Sequence, residues 1–489
     1  MKPDRLLLFA GFASLLLCSA LLLRNGWKEM NWNEKQFHTQ QGPFVIRYDD
    51  SSSDQSESTR TTENGKPVSN GATEERFSIK RTPDGFINTT ATRIDFQQEN
   101  WFESFLEVQH FLESTPYSTK VDLDAISLEQ AVLYKDHAFL RDCCIRFPGF
   151  VLQLYEEKQG SMERRAITEF NMKDFYYNHI RSYSTPLKGT PLPADHHVLY
   201  LHPRQYSNVF HVLEGTTFIL RLSLHPELFL PISTIVLADH PSFPPDSWSS
   251  LLEDLYLEIF PPSRRPTYAH KTPDSFSSLT CDPIMVVARA WETDGTGSFI
   301  GEPLAGDLLR AVAYKRIGWK FEPKEKGNEL SGALIRRLGK RKLLNTNDVL
   351  HALQNGFMGV MKTEEWVLEK ASGEALIRQF ASLDVLVAAH GAGVTNIIFM
   401  VPNSAVYELF PPFWQYGCYR RLASNVGVLY AKDTAVGVKG RECDRDPNSL
   451  YCQYNGIRDR DFVMNVTVIE RRMKKVVWEV WNKKYHVIP

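Results

Sequence analysis

The sequence of residues 383–411 is LDVLVAAHGAGVTNIIFMVPNSAVYELFP. Its first apolar run predicts a buried parallel strand, and a small turn that contains His390, Gly391 and Gly393 follows it. The next apolar stretch predicts a helix, and residues 405–409 predict a second strand. Glycines let a ligand approach the backbone closely, and the amides at the start of a helix favour an anion such as a diphosphate. The pattern therefore predicts a nucleotide site at this turn.

Two alternatives for the turn stay open. A glycine-containing turn between a strand and a helix is common in any α/β domain. His-Gly-Ala-Gly also resembles the oxyanion-hole loop of some α/β-hydrolases, but that chemistry needs a serine on a Gly-x-Ser-x-Gly elbow. The sequence contains no such elbow, so a hydrolase is a distant alternative.

The turn and the strand end behind it resemble the signature of the family 61 glycosyltransferases. This resemblance implies an α/β fold of the GT-B type, with two Rossmann-like domains that face a cleft, and an inverting transfer from a UDP-sugar donor. The family includes O-linked N-acetylglucosaminyltransferases of animal secretory proteins and plant xylosyl- and arabinosyltransferases. The residues expected to bind the donor are His390, Gly391, Ala392, Gly393, Thr395, Asn396 and Glu408, the last through ribose hydroxyls.

A basic turn at residues 336–345 follows the strand predicted at 333–335. Guanidinium groups at a strand end can bind a diphosphate with paired hydrogen bonds, and the leaving UDP develops that charge. On charge alone, a solvated basic turn is equally expected. The resemblance implies donor binding by Arg336, Arg341 and Asn345, whose spacing matches the family, while the role of Arg337 is open.

The candidate general base lies in the helix predicted over residues 207–224. An inverting transfer needs one group to take the proton of the acceptor hydroxyl. A single histidine among apolar residues is usually structural, but the resemblance implies that Asn208 and His211 face the cleft. Many family members carry a carboxylate where this chain has Gly215, and Glu214 precedes it, rotated by about 100° on a helix. We predict His211 or Glu214 as the base; the alternative function is a catalytically inactive lumenal binding or scaffold protein.

The sequence predicts no required metal ion or other cofactor. Glycosyltransferases of another architecture hold a divalent ion with Asp-x-Asp at a strand end. The Asp-x-Asp tripeptides at 122–124, 444–446 and 459–461 follow no convincing apolar strand, so they are more typical of solvated loops. The histidines at 196, 197 and 202 fit no standard zinc pattern.

The N-terminus predicts entry into the secretory pathway. Residues 6–23 form an uncharged apolar run that is long enough for a short signal anchor. We expect residues 1–5 to be a cytoplasmic tail and the protein to be a single-pass type II membrane protein of the Golgi or endoplasmic reticulum. Cleavage near Ala20 would instead give a secreted form. Asn88 and Asn465 begin Asn-x-Thr sequons and are expected N-glycan sites in the lumen.

Six of the seven cysteines follow the apolar run, and six cysteines can pair in 15 ways. Cys443 with Cys452 is the favoured pair, because the two bracket a polar segment typical of an exposed loop. The adjacent Cys143 and Cys144 are expected to have different partners or to stay buried and reduced.

Composition and patterning give the remaining organisation. Hydrophobic residues make up 43%, and 56 basic against 58 acidic residues leave a net charge of −2, which does not favour nucleic-acid binding. Alternating short strands and helices beyond residue 284 predict a doubly wound parallel sheet. The predicted divisions are a stem (24–80), an acceptor-side domain (81–270), a nucleotide-sugar-binding domain (271–435) and a C-terminal loop and helix that pack back (436–489).

Overall fold

A computed structural model describes residues 77–118, 131–133, 137–146, 151–155, 180–183, 188–193, 196–201, 203, 206–238, 240–241, 243–244, 247–273, 279–288, 300–322, 328–368, 371, 373–437 and 457–485. All of them lie in one compact unit, Tyr48–Pro489. The predicted anchor at 6–23, most of the stem, and the favoured pair Cys443–Cys452 lie outside these residues. Within the described ranges, no helix combines the length and the apolar character needed to cross a bilayer.

Six strands follow the first described helix, and from residue 209 onward the described helices and strands largely alternate. The α-helices are α1 (Trp101–Ser114), α2 (Val209–Thr216), α3 (Phe218–Leu224), α4 (Trp248–Ile259), α5 (Pro303–Ile317), α6 (Thr346–Gly356), α7 (Gly373–Ala381), α8 (Cys418–Asn425) and α9 (Val466–Tyr485). The strands are β1 (Ala131–Leu133), β2 (His137–Arg146), β3 (Val151–Tyr155), β4 (Ile180–Tyr183), β5 (Thr190–Pro191), β6 (His197–Leu201), β7 (Ile232–Leu237), β8 (Thr267–Tyr268), β9 (Leu279–Ala288), β10 (Leu330–Ile335), β11 (Met361–Trp366), β12 (Val385–Ala389), β13 (Ala405–Phe410) and β14 (Leu429–Thr434).

The first sheet has nine strands and is mixed. Its main order is β4-β3-β2-β9-β6-β7-β8, with β1 beside β2 and β5 beside β9. Strand β2 runs antiparallel to β3 and β9, whereas β6, β7, β8 and β9 pair in parallel. The parallel half therefore brings the carboxyl ends of β6, β7 and β8 to one edge, and the described residues that come after them include 206, 240 and 270.

The second sheet has five strands in the order β11-β10-β12-β13-β14, and every neighbouring pair is parallel. Its central strands are buried on both faces, which accounts for their continuous apolar runs. Leu386 and Val406 pack into the larger core on one face, and Val387 and Tyr407 pack under α6 and α9 on the other. This sheet confirms the predicted α/β class with a parallel, Rossmann-like arrangement.

Three local predictions need correction. The stretch after Gly391 forms a 3-10 helix, Ala392–Phe399, rather than an α-helix, and the helix predicted over 207–224 is divided into α2 and α3 at Thr217. The strand expected to open the C-terminal series, β9, pairs with β2 and β6 in the first sheet. An apolar strand fits either sheet equally well, and only long-range pairing decides between them.

Helix α9 lies within the C-terminal segment 436–489, which was predicted to contain a loop and a helix. It packs against α6, β13 and β14, that is, on one face of the second sheet. Lys484 at its end pairs with Asp384 at the start of β12, and the Tyr485 hydroxyl donates to the Asn328 carbonyl at 2.8 Å. These contacts attach the helix to the amino-terminal edge of the sheet.

A disulfide joins Cys144 of β2 to Cys281 of β9, where the two residues are direct cross-strand partners. Cys143 is buried, and its thiol lies 3.5 Å from the Arg141 carbonyl. The adjacent cysteines therefore differ in bonding, as expected, although the sequence did not predict Cys281 as the partner.

Candidate functional site

The centre of the candidate site is a histidine held by a glutamate at the carboxyl edge of the second sheet. His390 directly follows β12 and Glu408 lies in the neighbouring strand β13, so parallel pairing brings them together. Nδ1 of His390 lies 2.5 Å from Oε1 of Glu408, whose side chain is fully buried. The Tyr430 hydroxyl donates to Oε2 at 2.5 Å. Both carboxylate oxygens are therefore occupied, and Glu408 orients His390.

Aromatic rings surround His390 and exclude water from most of it. The ring centroids of Phe410, Trp414 and Tyr419 lie 5.2, 4.6 and 5.2 Å from that of His390. This burial lowers the pKa of His390, despite the opposing effect of its hydrogen bond to Glu408, and the nearby arginines lower it further. A neutral His390 that donates from Nδ1 to Glu408 keeps a lone pair on Nε2, which suits a hydroxyl donor.

Arg337 lies against the glycine turn. Its Nη1 donates to the His390 carbonyl at 3.0 Å, and its Nε donates to the Lys340 carbonyl at 3.0 Å. A Cβ atom added to Gly391 would lie 1.4 Å from Nη1 of Arg337. The missing side chain at position 391 therefore makes room for a guanidinium group, whereas the sequence pattern predicted close approach of a ligand.

Arg341 is the most unusual cation at this edge. Its backbone has φ of 61°, a left-handed conformation that costs a non-glycine residue roughly 1–3 kcal/mol. Burial and the charge of Arg337 lower the pKa of Arg341 to about 10. Its Nε is buried without a hydrogen-bond partner among the described residues, and its guanidinium lies 6.0 Å from the Trp414 ring centroid. A strained, half-buried cation beside a second cation is favourable where an anion binds.

The other basic residues of the turn have protein partners. Arg336 donates to Glu365 at 2.5 Å and to Asn347 at 2.6 Å, toward β11 and α6. Lys340 donates to Asp459 at 2.8 Å, and Lys342 lies 3.6 Å from Asp461. The tripeptide at 459–461 thus holds the turn through ion pairs. Of the predicted donor-binding arginines, Arg341 lies beside His390, whereas Arg336 is held by Glu365.

Asn345 binds the backbone of the C-terminal segment. Its Nδ2 donates to the Met464 carbonyl at 2.9 Å, and its Oδ1 accepts from the Met464 amide at 3.1 Å. Both ends of the side chain are occupied, so the structure gives this residue a positioning role in the basic turn.

The 3-10 helix joins the two sheets. Asn396 accepts from Nε1 of Trp248, the first residue of α4, at 2.8 Å, and donates to the Gly393 carbonyl at 3.0 Å. Thr395 is fully buried, with its hydroxyl 3.4 Å from that of Tyr419. Ala392 begins the helix beside them. The turn predicted to bind the donor is therefore fixed from the side of the first sheet.

The candidate bases lie beside this turn, on α2. Asn208 caps the helix by accepting from the Phe210 amide at 3.0 Å. Nδ1 of His211 lies 2.8 Å from Oε2 of Glu214, so Glu214 faces His211. A Cβ at Gly215 would lie 2.6 Å from Cα of Pro203, because the glycine is packed against the backbone.

Ring contacts connect α2 to His390. Phe210 lies 5.0 Å from His211 and 5.8 Å from Tyr419, which in turn lies 5.2 Å from His390. The charge of Glu214 also acts on the buried thiol of Cys418, where burial is the main cause of its raised pKa. The structure thus brings together residues that are about 180 positions apart in the sequence.

A second cluster of ionisable groups was not predicted. His240 and His270 follow β7 and β8, and both contact Glu253 of α4. The three residues are separated by 13 and 17 positions, and no motif of the sequence joins them. Of the histidines considered from the sequence as zinc ligands, His197 lies elsewhere, since it bonds to the Ile284 carbonyl and Asp282.

Comparison with known families gives one match. Residues 227–407 match the family model described as Glycosyltransferase 61. No curated protein matches the chain. The matched region contains the basic turn, the His390 turn and the 3-10 helix, and it begins after α2. The resemblance is therefore confirmed over this region, and it supports glycosyltransferase activity as a class.

Proposed function

We propose that this protein is an inverting glycosyltransferase that takes a sugar from a UDP-sugar. The sugar is N-acetylglucosamine or xylose, and the acceptor is a hydroxyl group of a glycoprotein or glycan. The family match supports the general class. The proposal of a nucleotide-sugar donor rests mainly on one observation, the placement of Arg337 and Arg341 beside His390 at the carboxyl ends of parallel strands.

The proposed contacts to the diphosphate of the UDP-sugar follow from the positive charges of Arg337 and Arg341. Arg341 is half-buried, and its buried Nε has no partner among the described residues. A diphosphate would supply that partner and compensate two adjacent positive charges, most strongly when UDP leaves and its negative charge grows. Because guanidinium groups take up this charge, the transfer needs no divalent ion at the diphosphate. Nε2 of His390 accepts a hydrogen bond from a hydroxyl group of the UDP-sugar.

We assign the removal of the proton of the acceptor hydroxyl to His211 of α2. Glu214 holds Nδ1 of His211 at 2.8 Å, which leaves Nε2 as the proton acceptor. The acceptor oxygen bonds to the anomeric carbon as the bond from that carbon to UDP breaks on the opposite face. His211 removes the hydroxyl proton in the same step, and the configuration of the anomeric carbon inverts.

We further propose a lumenal location in the Golgi or endoplasmic reticulum, with residues 6–23 as a type II anchor. The disulfide between Cys144 and Cys281 supports an oxidising compartment. Asn465 is exposed and Asn88 is half-buried, which supports N-glycans at both positions.

The second candidate function is a lumenal binding or scaffold protein that keeps the donor fold without turnover. Gly215 favours it, because the family's carboxylate position is occupied here by a residue whose Cβ has no room beside Pro203. A scaffold of this kind retains UDP binding and lacks transfer.

The test is turnover by the full-length chain with a panel of nucleotide sugars, without added Mg²⁺ or Mn²⁺. We expect slow UDP release from one UDP-sugar, faster release with serine- or threonine-containing glycopeptides, and an inverted anomeric configuration by NMR. UDP binding without release from any donor or acceptor would support the scaffold function. Absence of UDP binding would contradict both.

A further inference from the structure

The second cluster, formed by His240, Glu253 and His270, brings three potential metal ligands together. Nε2 of His240 lies 2.6 Å from Oε1 of Glu253, and Nε2 of His270 lies 3.1 Å from Oε2. The two imidazole rings stack in parallel, with centroids 3.6 Å apart and an interplanar angle of 9°. One ligand atom from each residue falls within 4.8 Å of the other two. Two nitrogen atoms and one carboxylate thus converge on a single small volume.

The elements behind these residues are fixed. His240 and His270 follow adjacent parallel strands, β7 and β8, and Glu253 lies on α4, which packs beside them. The Ser247 hydroxyl caps α4 by accepting from the Ser250 amide at 3.2 Å. Ligands supplied by rigid strand ends and a capped helix keep their separation when a metal enters or leaves.

Hydrogen bonds within the cluster do not satisfy all of its polar atoms. Glu253 is 3% exposed and is paired with both histidines, with Lys271 at 3.8 Å. The Tyr268 hydroxyl is buried, and its ring lies 5.3 Å from that of His270. This hydroxyl and Nδ1 of His270 have no hydrogen-bond partner among the described residues. Buried polar atoms are usually paired in proteins, so a further ligand held at this cluster could satisfy them.

We propose that His240, Glu253 and His270 bind one zinc ion. Two imidazole nitrogens and one carboxylate are a common zinc ligand set, and a water molecule completes a tetrahedral site. The same ligands disfavour Mg²⁺ and Ca²⁺, which prefer oxygen donors. On binding, each Nε2 gives its lone pair to the metal, and the proton that it shares with Glu253 moves to solvent or to Nδ1.

The proposed ion lies apart from the sugar transfer and acts on its geometry. It joins β7, β8 and α4, and the first residue of α4, Trp248, donates to Asn396 in the His390 turn at 2.8 Å. A bound zinc ion would therefore fix α4, and α4 in turn fixes the His390 turn through Trp248. This inference is independent of the donor and the acceptor, because it concerns metal content and stability.

The test is the zinc content of the full-length wild-type chain, measured by inductively coupled plasma mass spectrometry after purification without chelators. We expect about one zinc ion per chain, a lower melting temperature after dialysis against EDTA, and recovery on adding Zn²⁺ but not Mg²⁺. The affinity follows from competition with a chromogenic chelator, which needs no variant. A wild-type chain that contains no zinc and whose melting temperature does not respond to added Zn²⁺ overturns the proposal.

Two variants and a control locate the site. His240→Gln and His270→Gln keep a hydrogen-bond donor for Glu253 but remove a metal ligand, so each should weaken zinc binding by more than about 100-fold. The exposed His110→Gln is the matched control and should keep wild-type affinity. Unchanged zinc affinity in both cluster variants would show that the metal binds elsewhere and would reject the assignment.

Discussion

A buried glutamate binds histidine at the carboxyl edge of each sheet, but it binds one histidine in the second sheet and two in the first. In the second sheet, Glu408 accepts from one histidine, His390, and from the Tyr430 hydroxyl. In the first, Glu253 binds two histidines, one on each oxygen. A single oriented imidazole keeps one nitrogen for a substrate hydroxyl, whereas two imidazoles around one carboxylate form a chelating set. The same residue types therefore serve different chemistry.

Neighbouring charge strengthens the contrast. Arg337 and Arg341 lie close enough to lower the pKa of His390, which burial already lowers. Burial alone would raise the pKa of Glu253, but hydrogen bonds from His240 and His270 outweigh it and hold that pKa at about 2. The site at the second sheet thus carries positive charge, which suits an anion. The cluster at the first sheet contains an ionised carboxylate, which suits a cation.

The largest expected effect tests the orientation of His390. Glu408→Gln removes the carboxylate that accepts from Nδ1, so the ring loses its fixed tautomer, and turnover should fall about 10²–10⁴-fold. Tyr430→Phe leaves the carboxylate in place and should cost only about tenfold. Steady-state kinetics with the preferred UDP-sugar distinguish the two variants. Equal losses would show that Glu408 does not act through His390.

The next comparison is between two arginines of the basic turn. Arg341→Met removes the strained cation beside His390 and should reduce turnover about 10²–10³-fold. Arg336→Met is the matched control, since Arg336 is already paired with Glu365 at 2.5 Å, and its loss should be less than about tenfold. The measurement is the ratio of turnover to KM for each variant. A greater effect at position 336 would move the donor site toward β11.

A third histidine site has the inverse arrangement, one imidazole between two glutamates. Burial opposes protonation of His225, but Glu227 and Glu302 raise its pKa to about 9, from an ordinary value of 6.5. Protonated His225 therefore contributes about 3 kcal/mol to the free energy of unfolding. This contribution is complete below pH 6.5 and is lost as the pH rises through 9. Urea unfolding at about pH 6 and about pH 10 measures it. His225→Gln should lose most of this pH dependence; an unchanged slope would contradict the assignment.

The smallest effect separates the two glycines of the His390 turn. A methyl group at Gly391 would overlap Arg337, while one at Gly393 would lie 2.8 Å from the flexible end of Leu368. Gly391→Ala should therefore weaken UDP binding by roughly 2 kcal/mol, the value of a charge-assisted hydrogen bond, and Gly393→Ala by less. Fluorescence titration with UDP measures both. Similar affinities in the two variants would remove Arg337 from the donor site.

The second sheet was more predictable from the sequence than the first for a physical reason. His390 and Glu408 lie in one continuous strand-turn-helix-strand stretch, where local periodicity determines which residues meet. Strand β9 has the same apolar pattern but pairs across the chain with β2, and no local signal distinguishes the two sheets. The helix α9 and the helices α6 and α7 were predictable because their spacing is local.

Side-chain direction limited the prediction of the site. Arg336 and Arg337 are adjacent, yet one bonds to Glu365 and the other to the His390 carbonyl, which depends on backbone angles just after β10. Glu214 is offset by one residue from the family's carboxylate position, and the structure shows that its side chain is bonded to His211. The His240 cluster depends on three elements that meet only in the fold, so spacing along the chain contained no signal for it.

Binding of a nucleoside diphosphate at the carboxyl edge of the second sheet is the property on which the proposed function depends. It can be measured by isothermal titration calorimetry of UDP into the full-length wild-type chain and into Arg341→Met. We expect saturable binding of one UDP per chain, with affinity strongly reduced in Arg341→Met and nearly unchanged in Arg336→Met. Absence of UDP binding to the wild-type chain, or equal affinity in wild type and Arg341→Met, would contradict the proposal.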